Sequence, residues 1–174
     1  MVVRGRWQGT LPDVTSEQFR PFHIPASPSV ESKHVDVAEL GYGDARWAET
    51  YEQVERWMLA VNEMHFRMVL TGWQNHIRVN RAGPGDHFGW HADYGEWDDT
   101  KLSFDLCIEA ADEGGELYVL DWDPSMGEDP DAPVIRLEPG EWCIFGGNFP
   151  HRQAPVVSGR RIHLLGWLNG PRFV

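Results

Sequence analysis

Two histidines, one aspartate and one arginine are the residues through which this sequence could do chemistry. His91 and Asp93 are separated by a single residue. In extended chain, side chains two apart point the same way, so one imidazole and one carboxylate can reach the same ion. An isolated His-x-Asp is weak evidence in an acidic chain with eight histidines. His151 follows Asn148-Phe149-Pro150, at the end of an apolar, strand-like run. Arg161 lies one strand and one turn further on, just after the turn signal Ser158-Gly159. If the run that follows is a strand, Arg161, His163, Leu165 and Trp167 share one face, and Arg160, Ile162 and Leu164 share the other. A guanidinium on an inner face needs an anion, because an unpaired buried charge is very costly. Its fork matches a carboxylate through two parallel hydrogen bonds. An internal partner such as Asp105, or an acid from outside, could supply that anion.

Two histidines and one carboxylate on one face of an ion leave coordination positions open, the arrangement of non-haem Fe(II) oxygenases. A 2-oxo acid can fill two of these positions through its keto and C1 carboxylate oxygens, and dioxygen can take the last. The far carboxylate of the oxo acid then needs a cation several ångströms from the metal, and Arg161 offers one.

The elements that must position these residues are legible in outline. The chain has 174 residues and 41% hydrophobic content, enough for one domain with a real core. Residues 1–43 read as an irregular N-terminal segment, with prolines at 12, 21, 25 and 28 and at most a short strand around Val35 to Val37. A helical support follows within 44–70. Trp47, Tyr51, Val54, Met58 and Val61 recur in steps of four and three, one face of a helix, with Asp44 as its N-cap. From 75 to 170 the pattern changes to short β-prone runs at 77–79, 88–91, 102–108, 116–120, 134–137, 142–145 and 161–167, broken by Gly, Pro and Asp. Evenly spaced strands after one helix suggest a sandwich, jelly roll or barrel. Residues 121–133 are acidic and proline-rich and read as a long loop. The nine tryptophans suit a core and the walls of a barrel mouth.

Charge and cysteine usage narrow the class of partner. The net charge of −12 disfavours a phosphate backbone as substrate. Cys107 and Cys143 both lie in apolar runs and read as buried free thiols, consistent with a reducing cytoplasm. No apolar run is long enough to span a membrane, and the N-terminus has no signal-peptide pattern.

Taken in order, several motifs make residues 62–173 resemble the prolyl-4-hydroxylase-like group of Fe(II)/2-oxoglutarate-dependent oxygenases, its small bacterial and phage-type members above all. Gly85-Asp86-His87-Phe88-Gly89-Trp90-His91-Ala92-Asp93 is similar to that group's "Gly-Asp-x-aromatic-x-x-His-x-Asp" segment. Lys101-Leu102-Ser103-Phe104 is similar to its next strand, and Gly114-Gly115-Glu116-Leu117 to its Gly-Gly-x-Leu turn. Pro139-Gly140-Glu141, Pro150-His151, Pro155-Val156, Gly159-Arg160-Arg161, Trp167 and Gly170-Pro171 follow in matching order. The resemblance implies a mainly β fold, a double-stranded β-helix (jelly roll, cupin-like) with a buttressing helix. It also implies His91, Asp93 and His151 as iron ligands, and Arg161, rather than Arg160, as the anchor of 2-oxoglutarate.

The implied reaction hydroxylates an unactivated C–H with O2 and 2-oxoglutarate, releasing succinate and CO2. Asp93 favours hydroxylation over halogenation, because halogenating relatives lack the ligand carboxylate. This chain departs from the group where tyrosines often help to hold the oxo acid: Asn80-Arg81-Ala82 occupies one such place, and Cys107 lies near the other. Asp105 shares a face with Ser103 and Cys107. It reads either as a structural partner for an interior arginine or histidine, or as a handle for a cationic substrate group. Trp90, Tyr94, Trp97 and His163 are further candidates at the mouth. The expected partner is an amino acid, a peptide or a related small molecule. A metal enzyme of cupin type that does not use 2-oxoglutarate, and a silent binding module on the same fold, are the competing readings.

Overall fold

Alternation in the central strands divides the molecule into an apolar outer layer and a polar inner one. The computed structural model describes residues 1–26, 32–74, 76–95, 99–120 and 134–172. The expected loop at 121–133, and Trp97, lie outside them. The strands are β1 (Val3–Arg6), β2 (Arg20–Ile24), β3 (Lys33–Leu40), β4 (Gly72–Trp73), β5 (Ile77–Ala82), β6 (His87–His91), β7 (Thr100–Glu109), β8 (Glu113–Gly114), β9 (Leu117–Val119), β10 (Val134–Ile135), β11 (Glu141–Gly146), β12 (His151–Gln153), β13 (Val156–Ser158) and β14 (Arg161–Asn169). They form one curled, antiparallel sheet in the order β1-β11-β7-β14-β5-β3-β6-β12-β9-β10, of jelly-roll type. β2 and β4 lie against β3 and β14, and β8 pairs with β13 in a separate ribbon. The sheet turns its corner where β3 meets β6, through Lys33 opposite Phe88 and His34 opposite His87.

Helix α1 (Ala48–Val61) covers the outer face, preceded by a 3₁₀ turn (Ala45–Trp47) that the Asp44 side chain caps by accepting from the Arg46 N–H. The predicted stripe of Trp47, Tyr51, Val54, Met58 and Val61 is buried. It packs on Ile77 and Val79 of β5, Leu102, Phe104 and Leu106 of β7, and Leu164 and Leu168 of β14. The intervening residues of these strands, Arg78, Ser103, Asp105 and Trp167 among them, face the interior. β7 is buried along most of its length because the helix covers one face and the barrel interior the other.

Three strands occupy the N-terminal segment that reads as irregular. The short strand expected around Val35 to Val37 is the middle of β3, and prolines obscure β2. β2 pairs only with β3, so Pro21 sits on a strand with a free edge, where its missing N–H costs little. Gly159 turns the chain into β14 with a left-handed φ of +77°. A Cβ there would meet the Asp112 backbone nitrogen at 2.7 Å, so only glycine fits. Among the described residues, no helix is long and apolar enough to cross a membrane.

The Tyr51 hydroxyl ties the helix to the sheet. It donates to the Leu40 carbonyl at 2.6 Å and accepts from the Ile77 N–H at 2.8 Å, both buried. Tyr51→Phe leaves both backbone groups without that partner, so we expect it to lower unfolding stability by about 1–3 kcal/mol. Urea denaturation of the two proteins measures this; equal midpoints would show that the tie is dispensable.

Candidate metal centre

β6 ends at His91, and β12 begins at His151 directly opposite it in register. Asp93 follows two residues after His91. The three side chains converge: Asp93 Oδ1 lies 3.5 Å from His91 Nε2, and Asp93 Oδ2 lies 3.6 Å from His151 Nε2. They are the group among the described residues whose ligand atoms are close enough to share one metal ion.

The local backbone presets each imidazole. His91 Nδ1 lies 2.8 Å from the Gly89 carbonyl, and His151 Nδ1 lies 2.9 Å from that of Phe149. A carbonyl only accepts, so each Nδ1 carries the proton and each Nε2 keeps its lone pair for a metal. Burial pushes His151 down to about 4, so it is neutral at neutral pH. Burial also works against ionised Asp93. The neighbouring His151 and His91, with the Ser103 hydrogen bond, outweigh it and hold the carboxyl well below the usual carboxylate range. Ser103 Oγ donates to Asp93 Oδ2 at 2.6 Å and Trp167 Nε1 donates to the same oxygen at 2.7 Å. The sequence reading does not predict these two donors, although strand alternation places both on the inner face. Ser103→Ala should weaken Fe(II) binding by roughly 10-fold, because partners that orient a ligand are worth that much in metal affinity. An anaerobic Fe(II) titration beside a thermal melt measures it; unchanged affinity in a folded variant would remove Ser103 from the centre.

Two cavities meet at the triad. A narrow interior one is lined by Asn80, Ser103, Asp105, His151, Gln153 and Leu165 among others. A cleft of about 360 Å³ forms the mouth. Arg78, Phe88, His91, Asp93 and Trp167 line both.

Arg161 is not in the wall of either. It sits at the far end of β14, fully buried, and lines a third cavity together with His163. Its Nη1 donates to the Gly115 carbonyl at 2.9 Å, and its Nη2 donates to Gln153 Oε1. Gln153 is therefore the link between Arg161 and the interior cavity. The guanidinium Nε is buried without a hydrogen-bond partner among the described residues. Burial pushes Arg161 down to about 10, which the nearby Asp105 charge partly offsets. Arg161 stays charged, and with two of its five N–H groups engaged it can still offer a two-pronged contact. The competing Arg160 points outward and pairs with Glu109 at 2.6 Å.

Asp105 does not pair directly with Arg161. Its Oδ1 lies 2.7 Å from His163 Nδ1, and its Oδ2 accepts from Gln153 Nε2 at 3.3 Å. Both Asp105 and His163 are buried, so the carboxylate is engaged inside the protein and is not a free handle for a cationic group. Trp90 and Tyr94 are not among the lining residues of the mouth cleft or the interior cavity. The Arg152 guanidinium lies 5.0 Å from the Trp90 ring and 4.6 Å from that of Tyr118, and Lys101 Nζ lies 4.8 Å from the Tyr94 ring. Instead, the mouth takes Phe22 and Lys33 from the N-terminal strands and Arg78 from β5.

The donor set suits Fe(II): two imidazoles presenting Nε2 and one carboxylate oxygen, with part of the ion's surroundings left to other ligands. The unpaired Arg161 Nε suits the remote carboxylate of a dicarboxylic co-substrate.

Comparison with known proteins bears on the same stretch of chain. Residues 77–169 match the family model of the 2OG-Fe(II) oxygenase superfamily. A PKHD-type hydroxylase of Synechococcus sp. (strain CC9605) is 32% identical over 97 residues, covering 53% of this chain and 41% of the relative. The chain thus spans less than half the length of that relative. In fold it is similar to an oxidoreductase of the 2OG-Fe(II) oxygenase family from Burkholderia pseudomallei (TM-score 0.63, 16% identity, 88% and 74% of the two chains). A Pseudomonas putida prolyl-4-hydroxylase is also similar (TM-score 0.58, 21% identity, 87% and 78%).

Proposed function

This chain belongs to the 2OG-Fe(II) oxygenase superfamily, and on that premise we propose that it is a hydroxylase that inserts oxygen into an unactivated C–H of an amino acid, a peptide or a related small molecule, releasing succinate and CO2. His91 Nε2, His151 Nε2 and the Asp93 carboxylate would hold Fe(II), and Arg161 would take the distal carboxylate of 2-oxoglutarate. The observation that carries this reading is the convergence of the two pinned imidazoles on one carboxylate that Ser103 and Trp167 hold in place.

Iron and 2-oxoglutarate, when bound, supply the activation of O2 and the oxidising power. The chain supplies placement and charge. Asp93 brings the one negative charge of the ligand set and stays ionised. Ser103 and Trp167 hold it in place through Oδ2. The Gly89 and Phe149 carbonyls keep both Nδ1 protons fixed. Phe88, Phe145 and Trp167 wall the site with rings and limit water around it. Two buried free cysteines accord with a reducing cytoplasm as the site of action. Peptidyl proline is one member of the proposed substrate class, supported by likeness of fold alone.

Anaerobic addition of Fe(II) and then 2-oxoglutarate tests the reading. We expect the visible metal-to-ligand charge-transfer band of a chelated 2-oxo acid, and succinate release once O2 is admitted. Fe(II) binding without the band, at any 2-oxoglutarate concentration, would favour a metal enzyme that does not use the oxo acid.

A further inference from the structure

The mouth cleft carries a charge pattern that the metal centre does not require. The chain as a whole is strongly acidic, at −12, and its surface arginines typically rest on carboxylates. On the same sheet, Arg81 pairs with Asp36 at 2.7 Å and Arg20 with Glu39 at 3.0 Å. Arg78 and Lys33 break this habit. Both line the cleft beside His91 and Asp93, and neither has an ion-pair partner within 4 Å among the described residues. Glu39 faces Arg78 across the β3–β5 register, but its carboxylate is held by Arg20.

The surroundings of Arg78 say what kind of anion it is set for. Its guanidinium carbon lies 5.4 Å from the Phe22 ring centroid and 4.8 Å from that of Trp167. Two aromatic rings therefore flank the guanidinium, and no carboxylate forms an ion pair with it among the described residues. Its Nε is buried without a hydrogen-bond partner among the described residues. A planar guanidinium flanked by rings and paired with no carboxylate of the protein suits an in-plane, two-oxygen acceptor, which is a carboxylate. Lys33 Nζ stands 4.4 Å from the Phe88 ring centroid, and both residues line the same cleft. Burial pushes it down to about 8, partly opposed by the Asp93 charge, so it remains largely protonated near neutrality.

We infer that the mouth cleft binds the carboxylate of an anionic substrate, with Arg78 as its two-pronged anchor and Lys33 as the supporting charge. This rests on the oxygenase reading above and names the substrate class for it. Arg78 lines both the cleft and the interior cavity, so a molecule held by its carboxylate there has its carbon skeleton beside the triad. The pattern runs opposite to the cationic substrate that a free Asp105 would suggest, and Asp105 is engaged with His163.

The test uses matched pairs of probes on the full chain. N-acetylproline, N-acetylleucine and N-acetylglycine, each beside its own carboxamide, are titrated calorimetrically into the anaerobic Fe(II)–2-oxoglutarate complex, with inorganic phosphate as a third arm. We expect the acids to bind at least 10-fold tighter than their amides and phosphate not to displace them. Arg78→Gln should erase the preference. Arg78→Lys, which keeps the charge and loses the fork, should retain only part of it, and Lys33→Gln should reduce it about threefold. Thermal melts show which variants are folded, and Arg78→Lys keeps the test open if Arg78→Gln is not. Acids and amides that bind alike, or do not bind at all, would overturn the inference, as would displacement by phosphate. So would loss of the charge-transfer band in Arg78→Gln, which would move Arg78 to the co-substrate. A band that never forms in the unaltered protein would instead remove the oxygenase reading itself, so the two failures are told apart.

Discussion

Asp93→Ala is expected to lower Fe(II) affinity by roughly 100-fold or more and to bring 2-oxoglutarate-dependent oxidation down to background. The size follows from what Asp93 does alone. It supplies the only negative charge among the three converging side chains, and its removal is a larger loss than that of an orienting partner, which costs roughly 10–100-fold in metal affinity. Alanine also leaves Ser103 Oγ and Trp167 Nε1 without the oxygen they both approach, at 2.6 and 2.7 Å. A buried donor left unpaired costs about 1–3 kcal/mol, so some loss of thermal stability should accompany the loss of iron. Anaerobic Fe(II) titration and succinate release measure the two effects. A folded variant that still binds iron tightly and still releases succinate would refute the ligand assignment.

Arg161→Ala is expected to raise the 2-oxoglutarate concentration needed to form the charge-transfer band by roughly 100-fold, with Fe(II) affinity nearly unchanged. A charge-assisted hydrogen bond is worth about 1.5–3 kcal/mol, and a two-pronged contact supplies two. The variant also strips the Gly115 carbonyl and Gln153 Oε1 of their donor, so Arg161→Lys serves as the second variant. It keeps the charge, loses the fork, and should fall between the two. Titrating the band separates co-substrate binding from turnover. If both variants bind 2-oxoglutarate as the parent does, the anchor lies elsewhere, and Arg78, which lines the interior cavity, is the next residue to change.

The site shows which parts of a sequence speak for themselves. His91 and Asp93 are legible because two residues apart in extended chain means one shared face, and the chain keeps the two side chains together although β6 ends at His91. The stripe from Trp47 to Val61 is legible because a helix repeats every 3.6 residues. The strands of the C-terminal two thirds are legible for the same reason, although β8, β12 and β13 are too short to carry a period. Of the N-terminal strands only the middle of β3 is foreseen, at Val35 to Val37; β2 escapes notice because Pro21 and its neighbours look like breakers, and an edge strand tolerates them. That matters for function, since Phe22 and Lys33 come from this segment.

Alone, then, the sequence determines that His91 and Asp93 can share a face, which face of β14 points inward and which helix supports the sheet, because each follows from periodicity within one stretch of chain, whereas His151 enters only through the family resemblance of the motifs around it. Only the tertiary structure decides which charges meet. In the β14–β7 pairing, Leu165 lies opposite Asp105 and His163 opposite Cys107, with an irregularity between Ile162 and His163. That register gives Asp105 to His163 and leaves Arg161 to Gly115 and Gln153. It is likewise the folding of β3 against both β5 and β6 that brings Lys33 and Arg78 to one cleft. Partner choice among buried charges depends on contacts between residues far apart in the chain, and no local period encodes them.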